Sequence, residues 1–482
     1  MLALTKKEVI MQLSQTKEMP QARVHVAHPA MTMIGLMIGA FVGMFSETSL
    51  NIALPSLMTA LNVSQGTIQW LVTGYMLVIG ICMPLSSLLS KWFNTKKIIL
   101  FALGAFILGS VVSAMGAVFP VVLIGRLIQG IGTGLILPLM FSVAMQIFPP
   151  YKLGTVMGMA ALVIMFAPAI GPTITGLVLA KFTWHYIFWL FVPFLVLAFI
   201  FTLTSMENVY QQTQTPVDWL SIVESSIGFA GIVVGTTMAS DAGWLSLEVG
   251  LALLVGVIGL VLYARRQLSL TNPMLNLRVF ANKQFTVGTL LVMLDFGVIL
   301  ASMYLLPMYL QRVMGLPVAM TGLVMLPGGI VNAAVSAIAG RMYDSHGAKW
   351  LSRGGFVIAI LGVLILLNSG AQSPLWWIIL GHVVLMIGAP LAMSPAQTYG
   401  LNSLSGAESA DGSALLNTLQ QIVGAVSTAV ATSMLALGSA KAAGQTGLTI
   451  GSHFGFVFVL ILAIIGLIVA FQVKKPQASR DL

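Results

Sequence analysis

Along its whole length the chain alternates long apolar runs with short breaks that hold most of the charges and many of the glycines and prolines. Fourteen such runs fall at 31–54, 67–90, 97–116, 119–141, 154–180, 184–205, 219–238, 245–264, 285–310, 319–341, 350–369, 374–396, 412–438 and 453–473. Each approaches or exceeds the roughly 20 residues a helix needs to cross a bilayer. Strands of a membrane barrel would instead alternate apolar and polar positions in short segments, and in hydrocarbon only helices or closed barrels satisfy every backbone group. The pattern predicts an all-α integral membrane protein with about 14 transmembrane helices.

Composition narrows the class. Of the 482 residues 58% are hydrophobic and only 7% are charged, with a mean hydropathy of +0.99, whereas a soluble domain carries roughly a quarter charged residues. Water-soluble classes are therefore excluded. The net charge of +9 does not point to nucleic acid, which requires a clustered basic face on a soluble module. Topology accounts for it. If the amino terminus is cytoplasmic, 18 of the 22 Lys and Arg fall on the cytoplasmic side, Lys181, Arg312 and Lys441 fall outside, and Arg126 lies within a span. That is the bias that orients membrane proteins, and one span more or fewer destroys it. The end segments, 1–30 and 474–482, are then both cytoplasmic. The first carries Lys6, Lys7, Lys17 and Arg23 without a compact apolar core before a cleavage site, so no cleaved signal peptide is expected. Cys82 is the single cysteine, which leaves no intramolecular disulfide and no cysteine-based metal site.

A charge at mid-bilayer costs at least about 2.5–3.5 kcal/mol, so the few intramembrane charges mark candidate chemistry. Glu47 and Arg126 lie about eight and seven residues from the outer ends of the first and fourth spans, at similar depth for a rise of ~1.5 Å per residue, where they can neutralise one another. Asp295 lies near the midplane of the ninth span. Low dielectric disfavours the charged form of a carboxyl group, which suits a proton carrier. An intramembrane Glu–Arg pair can equally be a structural clamp, and Asp295 a hydrogen-bonded interior group. Glu224, close to the start of its span, reads as an interfacial acid, and His382 as a satisfied polar residue. The fifth span holds Gly154, Gly158, Gly171, Pro172 and Gly176. Small residues allow close helix approach and proline bends the helix, so a gate and ordinary membrane packing are both consistent with it. With no phosphate-binding loop and no His/Glu metal constellation, neither an ATP-driven pump nor an enzyme is indicated, and no cofactor is expected.

Internal repetition is weak: RLIQGIGTG from Arg126 has a degraded counterpart, HVVLMIGAP, from His382, and SLLSKWFNTKK from Ser87 parallels GRMYDSHGAK from Gly340. Two half-bundles of one design are implied. RLIQGIGTG and APAIGPTITG, together with ETSLNIALP from Glu47, QWLVTGYML from Gln69, WHYIFWLFVP from Trp184, PMLNLRVF from Pro273 and PMYLQRVMG followed by LPGG from Pro307 to Gly329, resemble the major facilitator superfamily. More narrowly the chain resembles its fourteen-span drug:proton antiporters of the EmrB/QacA and lincomycin-resistance type, over nearly its whole length.

The resemblance implies a bacterial cell (plasma) membrane exporter of small amphipathic molecules that uses protons, not ATP, and contacts lipid but no nucleic acid. It implies two six-helix bundles at 31–205 and 285–473 with an inserted helix pair at 219–264. It makes Arg126 a participant in proton coupling, beside Glu47 and Asp295, whose depth suggests the same task, makes Gly171, Pro172 and Gly176 the gating helix, and makes Gly340, Asp344 and Gly347 a cytoplasmic loop latch of the GxLxDxxG type. The first copy of that latch is degenerate, with Ser87, Lys91 and Asn94 at the signature positions. Relatives often carry an aspartate where this chain has Ser46; the acid here is Glu47, turned about 100° further around the helix. The first, fourth, ninth and twelfth spans are expected to line a cavity, with Gln69, Trp70, Tyr75 and Gln129 as polar and aromatic fixtures and some of the 29 methionines and 24 phenylalanines as adaptable apolar lining. Two other readings stay open: a dedicated exporter of one metabolite, peptide or lipid, and a membrane sensor on a transporter-like scaffold.

Overall fold

A computed structural model describes residues 26, 28–209, 218–271, 273–404 and 406–474. Among the described residues, fourteen helices are long and apolar enough to span a membrane. They are α1 (Pro29–Leu61), α2 (Gln65–Trp92), α3 (Thr95–Met115), α4 (Phe119–Ile147), α5 (Pro150–Leu179), α6 (His185–Ser205), α7 (Trp219–Ala242), α8 (Leu247–Ser269) and α9 (Lys283–Met308), the last continued by a π-helical turn at Tyr309–Val313. Then come α10 (Val318–Tyr343), α11 (Ser345–Leu367), α12 (Leu375–Leu401), α13 (Gly406–Ser439) and α14 (Gly444–Ala470).

The polar breaks of the sequence act as helix starts. Ser64, Asn94, Asp218, Ser246 and Asn282 each accept a hydrogen bond from a backbone N–H of the turn they precede, satisfying donors that no helical carbonyl can reach. Pro29 and Pro150 stand at helix starts, where the missing N–H costs nothing. Several helices outrun the apolar pattern, the first and the last by the most. The first runs past Pro55 to Leu61, ending on Asn62 in the left-handed conformation. The last starts at Gly444, nine residues before the apolar run at 453, because Gly447 and Gly451 lie directly on the α13 segment around Leu435 and Ser439; packing replaces hydrophobicity as the reason to be helical.

Helices α1–α6 pack chiefly on one another, as do α9–α14. The hairpin α7–α8 leans its first helix on both sets, through α2 and α13. Large apolar side chains such as Phe101, Leu108, Leu162, Leu254, Ile461 and Ile468 are exposed around the outside, a surface that suits lipid rather than water.

The odd-numbered helices run away from the loops that carry most of the lysines and arginines, so the bundle has a basic end and an opposite end. Side-chain hydrogen bonds join the halves toward the opposite end. Gln311 Nε2 donates to Ile52 O (2.9 Å), Arg312 Nη1 to Gln65 Oε1 (3.2 Å), Gln65 Nε2 to the Tyr304 hydroxyl (3.0 Å) and Thr173 Oγ1 to Gly322 O (2.8 Å).

At the basic end, α10 and α11 are joined through Gly347 at φ 68°, ψ 170°, a conformation open in practice to glycine alone. Gly347→Ala is expected to cost about 1–3 kcal/mol and to lower the thermal midpoint of the purified protein, whereas Gly354→Ala, where an added Cβ meets nothing within 4 Å, leaves it unchanged. Equal midpoints for the two variants would show that the backbone at Gly347 imposes no such constraint.

Candidate functional site

The fourth helix carries Arg126 into the interior, where it is 0% exposed. A permanent cation there must find a partner for every N–H. Nε donates to Leu71 O of α2 (2.9 Å), Nη1 to Ser46 Oγ of α1 (2.6 Å) and to Gln129 Oε1 one turn on (2.7 Å), and Nη2 to Ser46 O (3.4 Å). The guanidinium carbon stands 3.9 Å from the centre of the Tyr75 ring, a cation–π contact strengthened by desolvation. Tyr75 donates to Gly43 O (2.9 Å) and shares a hydrogen bond with Thr133 (2.8 Å), while Gln129 Nε2 donates to Ser110 of α3 (2.9 Å). One buried charge thus ties α1 through α4 together.

Glu47 is not its ion-pair partner. An ion pair joins Arg266 and Asp218 at the basic end of the inserted hairpin (2.7 Å), where hydrogen bonding from Arg266 holds the part-buried Asp218 carboxyl below its ordinary range. Glu47 and Arg126 act on one another across a gap rather than in contact, for a helical reason: Ser46 takes the face toward α4, and Glu47 is rotated away beside Gln421 of α13. Glu47 is 2% exposed, and its Oε2 accepts no hydrogen bond. Asp295 on α9 is 0% exposed with both carboxyl oxygens unpartnered. The coupling candidates therefore stand apart: Arg126 held by four hydrogen bonds in one half, Asp295 alone in the other, and Glu47 at the boundary.

The expected cavity fixtures are engaged or enclosed. Gln129 and Tyr75 serve Arg126, and Gln69, 0% exposed, has neither amide oxygen nor nitrogen hydrogen-bonded. Trp70 is half-buried beside Gly74. In α5, Gly158 faces open space and is no close-approach point, whereas a Cβ on Gly171 would come within 2.7 Å of Thr48 and one on Gly176 within 2.8 Å of Val318 O of α10. Gly171, Pro172 and Gly176 are all buried, on the stretch of α5 that faces α1 and α10. Of the second latch motif, Gly340 lies within α10 and Gly347 breaks the helix; the side chain of Asp344 lies outside the described residues, as do those of Ser87 and Lys91. Asn94 has a local task, its Oδ1 accepting from Lys96 N (3.0 Å). Glu224 is half-buried with Oε2 unpartnered, at a groove lined by Ile227, Val255, Ile258, Gly259 and Leu262. His382 is buried with Nδ1 unpartnered rather than satisfied. Among the described residues no three His, Cys, Asp or Glu could hold a metal ion.

Sequence reasoning missed Ser46 as the partner of Arg126, Gln421 as the neighbour of Glu47, and the Gln65–Tyr304 and Gln311–Ile52 contacts. Polar, uncharged residues inside apolar runs were the available signal, and there are many of them.

The Major Facilitator Superfamily model matches residues 36–428. The chain belongs to the major facilitator superfamily. Lincomycin resistance protein LmrB of Bacillus subtilis (strain 168) is 48% identical over 93% of this chain and 96% of its own length, and the protein of the same name from Listeria monocytogenes is 42% identical over 93% and 98%. A crystal structure of the peptide transporter POT aligns over 92% of this chain and 94% of its own with a TM-score of 0.66 at 16% identity, a likeness of fold. This member of the superfamily is a multi-pass membrane transport protein and not an enzyme.

Removing one partner of Arg126 strands a buried charged donor. Gln129→Leu and Ser46→Ala are each expected to cost about 1–3 kcal/mol, read as a lowered thermal midpoint in detergent. Because both act on Nη1, the double variant should cost less than the sum of the singles; full additivity would show that the two bonds are independent.

Proposed function

We propose that this transporter exports drugs or other small amphipathic molecules from the cytoplasm or inner leaflet in exchange for protons, by alternating access. The basic end faces the cytoplasm, with both termini on that side. The observation that carries the reading is the pair of buried carboxyl groups, Asp295 and Glu47, that lack a salt bridge in a bundle otherwise well supplied with hydrogen bonds. An ionised carboxylate at either place is an unpaired charge away from water, and taking up a proton removes that cost. A conformation that exposes the group to water favours the charged form, and one that buries it favours the neutral form. Proton binding thereby biases the two conformations against one another. At the about 2.5–3.5 kcal/mol of a membrane charge, the bias reaches roughly a hundredfold.

The drug side of the reading is supported by the relatives named for lincomycin resistance. Four bonds between the halves tie the end assigned to the outside, which supports entry of cargo from the basic side in this state.

The test uses inside-out vesicles with an imposed pH gradient, with ethidium and lincomycin as cargo. Wild-type uptake should collapse on addition of a protonophore. Asp295→Asn and Glu47→Gln should lose gradient-driven uptake while keeping membrane levels and cargo exchange at zero gradient. Gradient-driven uptake that survives in both variants would sink the assignment of coupling to these carboxyls, and uptake indifferent to the protonophore would sink proton coupling itself.

A further inference from the structure

The hairpin α7–α8 is attached to both halves at the opposite end, and the two attachments differ in kind. On the α2 side, Ser64 Oγ donates to Asp241 Oδ2 (2.8 Å) and Thr67 Oγ1 donates to the same oxygen (3.3 Å). These residues form the first turn of α2, and Ser64 also caps it by accepting from Thr67 N (3.0 Å). The seat is close: a Cβ on Gly66 would collide with both Ser240 Oγ and Asp241 Oδ1. One turn deeper, Thr237 donates to Thr73 of α2 (3.3 Å). On the other side a single bond reaches the second half, from Trp244 Nε1 to Ser433 Oγ of α13 (2.7 Å), with Ser433 1% exposed. Between the anchors lies Gly243, whose φ of 81° turns the chain from one helix toward the other.

We propose that Asp241–Trp244 is a strap that holds the outer gate closed and that it releases at Trp244–Ser433, travelling with α2 when the gate opens. The inference rests on the alternating-access reading above. Three residues span at most about 10 Å of extended chain, so the strap cannot stay attached to both halves once the outer ends of α2 and α13 separate. Of the two anchors, the α2 side holds a carboxylate by two hydrogen bonds over a tight glycine seat, and charged acceptors are held about twice as strongly as neutral ones. Because α7 packs on both α2 and α13, the hydrogen bonds decide between the two sides: three reach α2, two of them accepted by the Asp241 carboxylate, and one neutral bond reaches α13, which breaks first. Trp244 and Ser433 are therefore positioning residues of the gate: they touch no cargo, yet they set the ratio of outer-closed to outer-open molecules.

Spin labels at Ala60 and Met320, exposed residues near the outer ends of the two halves, report that ratio as a distance distribution in a Cys82→Ala background. Trp244→Phe keeps the ring and removes the N–H; Ser433→Ala removes the acceptor. Each should raise the outer-open fraction roughly two- to tenfold, the range of one neutral hydrogen bond, and the double variant should go no further than the larger single. Unchanged distances in both singles, or additive shifts in the double, would overturn the strap. A further variant, Trp244→Cys with Ser433→Cys joined by a short bifunctional thiol linker, should hold the short distance until the linker is cleaved; opening with the linker intact would also overturn it. The readout is a distance, so a failure of proton coupling does not alter it.

Discussion

The cation at Arg126 is the constraint on which the amino-terminal half depends. Its guanidinium is always charged and cannot escape by losing a proton, so a place inside the membrane is tolerable only if the protein rebuilds its solvation. It does so with neutral groups: the Ser46 hydroxyl, two backbone carbonyls, the Gln129 amide and the face of Tyr75. Each comes from a helix that must hold its register to within a hydrogen bond. The registers of α1, α2 and α4 are fixed by the charge, and α3 is drawn in through Ser110. A lysine could not replace it, since a point charge lacks the planar fork that reaches several acceptors in different directions.

Solvating the arginine with neutral groups leaves its positive charge uncompensated, and this shapes what the carboxyls can do. Had Glu47 been the direct partner, the pair would have formed a closed unit, costly to break and indifferent to the second half. Instead Glu47 feels Arg126 at a distance while lying against Gln421 of α13. A carboxyl so placed, in contact with the other half, changes its surroundings whenever the halves move. Asp295 is the complementary case, a carboxyl with no local partner at all. A group in continuous contact with a fixed cation would carry a charge and little information about conformation.

The fold was legible because lipid leaves so few options. Fourteen apolar runs separated by Asn, Ser, Asp and Pro become fourteen helices begun by many of those residues, and Arg126 announces itself as the lone charge of the fourth run. The site was legible only in its charged members. A serine in an apolar run is as often a back-bonded helix residue, as Ser302 is on Val298 O, as it is the acceptor that completes an arginine, as Ser46 is. The sequence carries no mark that separates the two, because the difference lies in which helix stands opposite. For the same reason the sequence does not show that Gln129 lies against Arg126 and Ser110.

The same contrast explains how a rigid half can belong to a moving whole. Within the first half the contacts centre on one desolvated charge and are costly to lose. Between the halves the seam along α5 and α10 is made of small residues, with Gly176 facing Val318 and Gly322 facing Pro172 and Thr173. Such surfaces pack closely without large side chains that interlock, and the bond that bridges this seam, from Thr173 to Gly322 O, is neutral. Along that seam two stiff bodies can shift as units, and the energy that decides between their arrangements can then be as small as a proton on a carboxyl or a single bond from a loop. A seam built from interdigitated leucines and phenylalanines would have bound the halves more tightly and taken that decision away from both.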